Sequence, residues 1–600
     1  MFGKIIDINE NHVYVENLQK TLLANLKGIH VTFQDKERLI IGKIVEVRQD
    51  KIDIYLLGEI FNHKFIQGIY KAPSLNISPR IITGEELISL VGVQNYHDKN
   101  TLLIGSSLTY ENFKITADMN QFFSNHFAII GNSGYGKSCG VARILQNVFT
   151  YNETPPLNAH IVLFDVYGEY KSALEGLENI SSIHFKSYEN SFQEGSTTIS
   201  FPPYFLDADD LAILLNVEDA YLIPILEKTL QYVRIFKNED PQSLEYKNNI
   251  IATALLEVLS SGKEASQIRD QIISILTKYN TPDLNVNSEI KEPGYTRTLR
   301  QCLNIDNQGK INAITQVIDF LNKFKRINLQ TNFVVPNLAY SLEDIYDALE
   351  FALLSEGVYN SVSMYERAVS LKTHLYQIIN SPNKRFFEYK EIISKKDYIE
   401  GLFKTINNEK AQIININLNE MEDRFAKILT KLYSKLFFNY ATNLTDRGSF
   451  PVNIILEEAH RYVTKDNDID VIGYNIFDRI TKEGRKYGVL MGFITQRPSE
   501  LSKTALSQCS NFLVFRIFHP DDYEIIDSIT SSVTRDDLNN LKTLRRGMAL
   551  TFGTAFNLPM IVKLDMPNPM PSSSNVDIVN KWYEKNSLQW GLFFLLKLSH

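Results

Sequence analysis

Cysteine is scarce in this 600-residue chain: Cys139, Cys302 and Cys509 are the three present, and no two form a C-x-x-C pair. A disulfide-stapled fold is excluded, as is a zinc site built from cysteine alone, and the usage points to a reducing compartment. Positive charge is not in excess either. Lys and Arg number 62 against 70 Asp and Glu, for a net charge of -8. That excludes a basic surface wrapped around nucleic acid, but leaves room for a local basic channel. No apolar run approaches the roughly 18 residues of a membrane span; the ending GLFFLLKLSH falls far short, and the opening MFGKIIDINENHVYVE has no basic region leading into an apolar one. These absences predict a cytoplasmic protein with no membrane contact. What is present, 44% hydrophobic and 22% charged residues, is ordinary for a soluble globular chain. Its length predicts two to four domains rather than one core.

The first ~100 residues alternate apolar and polar side chains with period 2, as in DKIDIYLLGEI, HVYVEN, IHVTF and LIIGKIVEV. Short strands at this spacing predict a small barrel or sandwich; an edge sheet of the following domain is the alternative. From about 120 the pattern changes. HFAIIG, HIVLFD, QIININL, VNIILE, VLMGFIT and NFLVFRI are near-continuous apolar runs, the mark of strands buried on both faces of a parallel α/β sheet. Between about 205 and 395 the apolar spacing becomes helical, as in DAYLIPILEKTLQYVRIF and SLEDIYDALEFALL, with Ser341 and Asp344 placed to cap a helix. PNPMPSSSN at 567–575 reads as a linker into a short tail.

GNSGYGKS fits G-x-x-x-x-G-K-S/T and comprises Gly131, Asn132, Ser133, Gly134, Tyr135, Gly136, Lys137 and Ser138. With 28 glycines in the chain, chance supplies roughly 0.01 such matches. Glycines let successive N–H groups curl toward phosphate oxygens, Lys137 adds a positive charge, and the Ser138 hydroxyl suits Mg²⁺. The helix opened by Cys139 points its N-terminus at the same anion.

Phosphate chemistry at such a loop also needs an acid near the metal and a second to orient water. VNIILEEAH supplies Glu457 and Glu458 in tandem, the first for metal and the second for water; HIVLFD supplies Asp165 as the competing strand-end acid. Gln496, closing VLMGFITQR, is placed to sense the terminal phosphate, or else simply begins a loop. Arg485, in GRKYG, could send a guanidinium to phosphate or stand as solvated charge at a helix end.

In this order, HFAIIGNSGYGKS, FDVYGEY, NIILEEAH, DRITKEGRKYGV, GFITQRPSELSKTALSQCSNFLVFRI and LRRGMALTFGTAFNLPMIVKL resemble HerA-type ATPases, of the same clade as the FtsK DNA pumps. The resemblance implies an α/β fold with a RecA-like P-loop ATPase core in two parts (106–205 and 396–570). It further implies a small β-barrel at 1–105, a helical-bundle insertion at 206–395 and a tail at 571–600. It implies ATP and Mg²⁺, a homo-hexamer with nucleotide between subunits, and double-stranded DNA in a central pore. Residue by residue it assigns Lys137 and Ser138 to phosphate and Mg²⁺, and Glu458 as base. Glu457 stands where the family usually has Asp, Gln496 is the sensor, and Arg485 with Lys465 reaches the nucleotide. Asn125 stands where the family usually has the arginine that serves the neighbouring subunit.

A ring of acidic subunits confines DNA contact to a few inward lysines, for which Lys171 and Lys465 are candidates against an ordinary surface reading. Two functions remain open. One is a DNA translocase serving a separately encoded nuclease or NAD-consuming effector docked on the barrel face, in end processing or anti-phage defence. The other is a nucleotide-dependent scaffold that regulates such an effector. A membrane-anchored pump is disfavoured by the lack of a spanning segment.

Overall fold

The computed structural model describes residues 2–19, 26–62, 64–91, 98–110, 113–179, 183–190, 197–326, 338–355, 362–389, 391–530, 533–572 and 578–583. The N-terminal alternation becomes β1 (Phe2–Asn9), β2 (His12–Asn17), β3 (His30–Asp35), β4 (Arg38–Val47), β5 (Lys51–Phe61), β6 (Lys64–Gln67) and β7 (Arg80–Ile81). They pair antiparallel in the order β1-β2-β5-β4-β3-β7, with β6 also on β5. One face of the sheet encloses its own core of Val13, Val31, Phe33, Ile40, Ile52 and Ile54. The expected barrel is thus an open half-barrel among the described residues. Strand β7 is two residues long, too short to carry a ladder round to β1.

The large sheet begins with β8 (Thr101–Ser107) and β9 (Lys114–Asp118), followed by β10 (His126–Ile130), β11 (Ile161–Asp165) and β12 (His184–Tyr188). A small exposed hairpin, β13 (Glu289–Glu292) and β14 (Tyr295–Thr298), lies outside it. The sheet then resumes with β15 (Ala411–Asn417), β16 (Val452–Leu456), β17 (Val489–Thr495), β18 (Cys509–Val514), β19 (Met548–Gly553) and β20 (Met560–Leu564). Its order is β12-β15-β11-β16-β17-β10-β18-β19-β20-β8-β9. The seven strands from β12 to β18 are parallel, and the other four extend the sheet antiparallel.

The apolar runs have a physical cause. Ala128, Ile130, Val162 and Phe164 pack into one core, while their neighbours Phe127, Ile129, Ile161 and Leu163 pack into another on the opposite face. Both faces are covered, so both side-chain sets must be apolar. The first core continues into the helices between 206 and 395, among them Ala208–Leu215, Ile223–Lys237, Pro241–Leu259 and Leu342–Ser355. Ser341 and Asp344 exchange hydrogen bonds at the start of the last. The hairpin β13–β14 went unforeseen because EIKE and YTRT are too polar to show a strand pattern.

The expected linker is partly anchored. Gln146 clasps it by donating to Pro569 O at 2.8 Å and accepting from Asn568 N at 2.9 Å, and Ser572 N donates to Glu169 O. Residues 573–575 and 584–600 lie outside the described residues. No helix among the described residues is long and apolar enough to cross a membrane.

Candidate active site

Strands β11, β16, β17 and β10 are adjacent and parallel, so their C-terminal ends form one rim. Crevices at such rims are where open α/β sheets take ligands. Gly131 leaves β10 at φ 154° and Gly136 enters the helix Lys137–Thr150 at φ 101°. A Cβ on Gly131 would lie 2.5 Å from Phe515 Cβ, so neither conformation nor space admits another residue. Gly136 offers no side chain to cap the helix, which leaves its first N–H groups for an anion.

Lys137 is buried, and burial lowers its pKa while Glu458, Glu457 and Glu169 oppose that shift. A cation held beside three acids is in place for phosphate. The acids divide by backbone geometry. Glu457 is buried and accepts from Val166 N at 2.9 Å, turning it toward β11. Glu458 takes φ 45° and ψ 46°, a left-handed conformation that costs a non-glycine residue about 1–2 kcal/mol and breaks the strand's course. It is 6% exposed, its Oε2 makes no hydrogen bond, and His460 Nδ1 stands 3.3 Å away. Burial raises its pKa, with Lys137 the strongest opposing charge.

Asp165, the competing acid, is engaged elsewhere. Its two oxygens accept from Glu169 N at 3.1 Å and Tyr170 N at 3.0 Å, closing the VYGEY turn. It also shares a hydrogen bond with Glu457, and burial raises both acids, Glu457 well above its usual range. Two buried carboxyls this close cannot both ionise at ordinary cost. A cation would relieve them, and carboxylate with the Ser138 hydroxyl is the hard-oxygen set that suits Mg²⁺. Among the described residues no cluster of three or more His, Cys, Asp or Glu could cage a metal.

Gln496 reaches the loop directly, its Oε1 accepting from Ser133 Oγ. Below it Thr495 Oγ1 meets His460 Nδ1 at 3.0 Å and accepts from Arg497 N at 3.0 Å. The sequence motifs give His460 no role; its signal is its place two positions after Glu458 in the same turn.

Arg485 is not in this crevice. It precedes β17 and lines a pocket with Lys99, Asn152, His160 and Pro451 at the N-terminal ends of the strands. A seven-residue strand separates it from the rim by about 20 Å. It is exposed and lies near His126, whose pKa burial lowers to about 4 with Arg485 contributing. Arg485 thus stands away from its own chain's phosphate loop, because motif order does not say which end of a strand a residue occupies. Asn125 is at that same end, buried and donating to Gln121 O at 2.8 Å. Lys465 is exposed on the loop after β16, whose neighbours Thr464 and Asp466 are bound by Lys427 and Lys431. Lys171 pairs with Glu189 at 3.1 Å.

Residues 102–329 match the family model of the central domain of helicase HerA. That stretch of the chain is similar to a HerA central domain. The HerA likeness extends beyond it. A probable DNA double-strand break repair helicase HerA of Methanocaldococcus jannaschii is 23% identical over 579 residues, 95% of this chain and 96% of that protein. The Pyrococcus furiosus DNA double-strand break repair helicase HerA is 23% identical over 514 residues, 85% of this chain and 76% of that one. Among solved structures, plasmid coupling protein TrwB in complex with a non-hydrolysable GTP analogue is similar at 11% identity. It covers 83% of this chain and 96% of that structure at a TM-score of 0.43.

Proposed function

We propose that this chain is a HerA-type ATPase, a ring-forming, ATP-driven translocase of double-stranded DNA. The observation that carries the reading is the meeting of Lys137, Glu458 and Gln496 in one crevice although they come from three strands. Lys137 and the loop N–H groups bind the phosphates, Glu458 accepts the proton of the attacking water, and Gln496 orients the terminal phosphate. Mg²⁺, held by Ser138 and Glu457, supplies charge neutralisation when bound.

Arg485 acts on the neighbouring subunit's nucleotide. Its exposure at the end opposite its own phosphate loop supports this, and it supplies the charge that Asn125 lacks. Phe61 and Ile66 are exposed on the N-terminal sheet and Tyr70 just past β6, an apolar surface suited to a separately encoded nuclease or NAD-consuming effector.

The test is ATP turnover with and without duplex DNA. Several-fold stimulation by duplex, with a steep salt dependence and no base preference, is the expected result. Stimulation by a partner protein alone would favour the scaffold reading instead.

A further inference from the structure

Strand β10 has β17 on one side and β18 on the other. Glu458 and Gln496 close the crevice on the β17 side, so the terminal phosphate belongs there. A triphosphate chain laid along the loop then carries its nucleoside toward the β18 side.

That side holds a cluster outside the constellation already described. Arg516, just past β18, places its guanidinium 5.3 Å from the Tyr135 ring centre and 4.5 Å from that of Phe518. The Tyr135 and Phe518 rings meet edge to face at 5.4 Å. Arg516 Nη1 donates to the Tyr135 hydroxyl at 3.2 Å. The cluster is fixed to the phosphate loop by its main chain, since Asn132 N donates to Arg516 O at 3.0 Å and Gly547 N to Tyr135 O at 3.0 Å. Packing alone does not account for it. Arg516 Nε is buried without a hydrogen bond, no acid among the described residues pairs with the guanidinium, and Phe518 is 55% exposed beside it.

The geometry points to a nucleobase platform: Arg516, flanked by Tyr135 and Phe518, stacks the base and ribose end of the nucleoside triphosphate. This rests on the crevice being the triphosphate site. A flat guanidinium and an exposed ring present π-faces that any base can meet, as stacking surfaces for nucleic-acid bases do. The platform therefore contributes affinity with little choice of base.

The experiment measures binding of ATP and of inorganic tripolyphosphate, each with Mg²⁺, to the full chain by calorimetry. Arg516→Ala and Phe518→Ala should each weaken ATP about tenfold and leave tripolyphosphate unchanged. Arg516→Lys should behave like Arg516→Ala, because it keeps the charge and loses the plane. Should Arg516→Ala fail to fold, Phe518→Ala carries the test, since its ring is exposed. Equal weakening of ATP and tripolyphosphate would make Arg516 a phosphate ligand and overturn the platform. So would unchanged ATP binding in Phe518→Ala. A wild-type chain that binds tripolyphosphate as tightly as ATP would sink the platform alone, whereas one that binds neither would sink the reading of the crevice itself.

Discussion

Ser133 and Gln496 are 363 residues apart in sequence, and the serine hydroxyl donates to the glutamine carbonyl across the mouth of the crevice. Gln496, the proposed sensor, is thus docked on the phosphate loop. Gln496→Ala should lower the ATPase kcat by about 10- to 100-fold, the scale of losing one oriented polar group in a transition state. ATP affinity should stay near wild type. Steady-state turnover alongside equilibrium binding checks this, and a loss of affinity with kcat intact would reverse the assignment.

Glu458, just after β16, and Asp165, at the end of β11, should separate cleanly in mutants. Glu458→Gln keeps shape and removes the base, so turnover should fall by about 100-fold or more while ATP stays bound. Asp165→Asn weakens the VYGEY turn and should act mainly on thermal stability. Single-turnover hydrolysis together with melting curves distinguishes them. Full turnover in Glu458→Gln with none in Asp165→Asn would exchange their roles.

Burial, then Asp165 and Glu169, raise the Glu457 pKa in the folded chain. A raised folded pKa means the folded state holds a proton that the unfolded state releases. Its contribution to stability is complete below the unfolded value near pH 4.3 and is lost as pH rises through the folded one. Glu457→Gln keeps an acceptor for Val166 N and carries no charge. Without nucleotide, the melting temperature of Glu457→Gln relative to wild type should therefore climb between pH 5 and pH 8. A constant difference would show that the carboxyl does not titrate in that interval.

Lys435 is buried in the helix Asp423–Thr442 and meets Asp207 at 2.6 Å and Asp210 at 2.9 Å, where the insertion begins. Lys435→Ala leaves Asp210 buried beside Asp207 with no cation. The expected loss is about 3 kcal/mol, read from chemical denaturation. A double variant with Asp210→Asn should recover part of it.

If Arg485 serves the next subunit, Arg485→Ala and Glu458→Gln damage different halves of a shared site. Each alone should be nearly inactive, Arg485→Ala by about 10³-fold. Mixed rings of the two should regain ATPase, because some interfaces then join an intact Glu458 to an intact Arg485. No recovery on mixing, with rings verified as mixed, would count against a shared site.

Much of the crevice could be read from residue types. The phosphate loop, the tandem acids and Gln496 each sit where an apolar run ends, and such runs are legible because both faces of the central sheet are covered. Strands β8, β9, β19 and β20 join that sheet through antiparallel pairing between segments far apart in sequence, which no local pattern announces. Strand β12, HFKSY, buries only two of its five residues. The end of the sheet that Arg485 occupies arises from tertiary direction. No local spacing encodes that. Arg516, within NFLVFRI, carries no local signal; its meaning comes from Tyr135 and Phe518 beside it.

The walls of the phosphate loop carry a consequence for synthesis. Gly131 packs against Phe515, Ser133 against Gln496 and Tyr135 against Gly547. A ribosome delivers the loop early and these walls only after the whole insertion has emerged. Contacts so distant in sequence close slowly, and domains of this size pass through partly assembled states. A nascent chain therefore carries the phosphate loop without its walls until synthesis has passed Gly547.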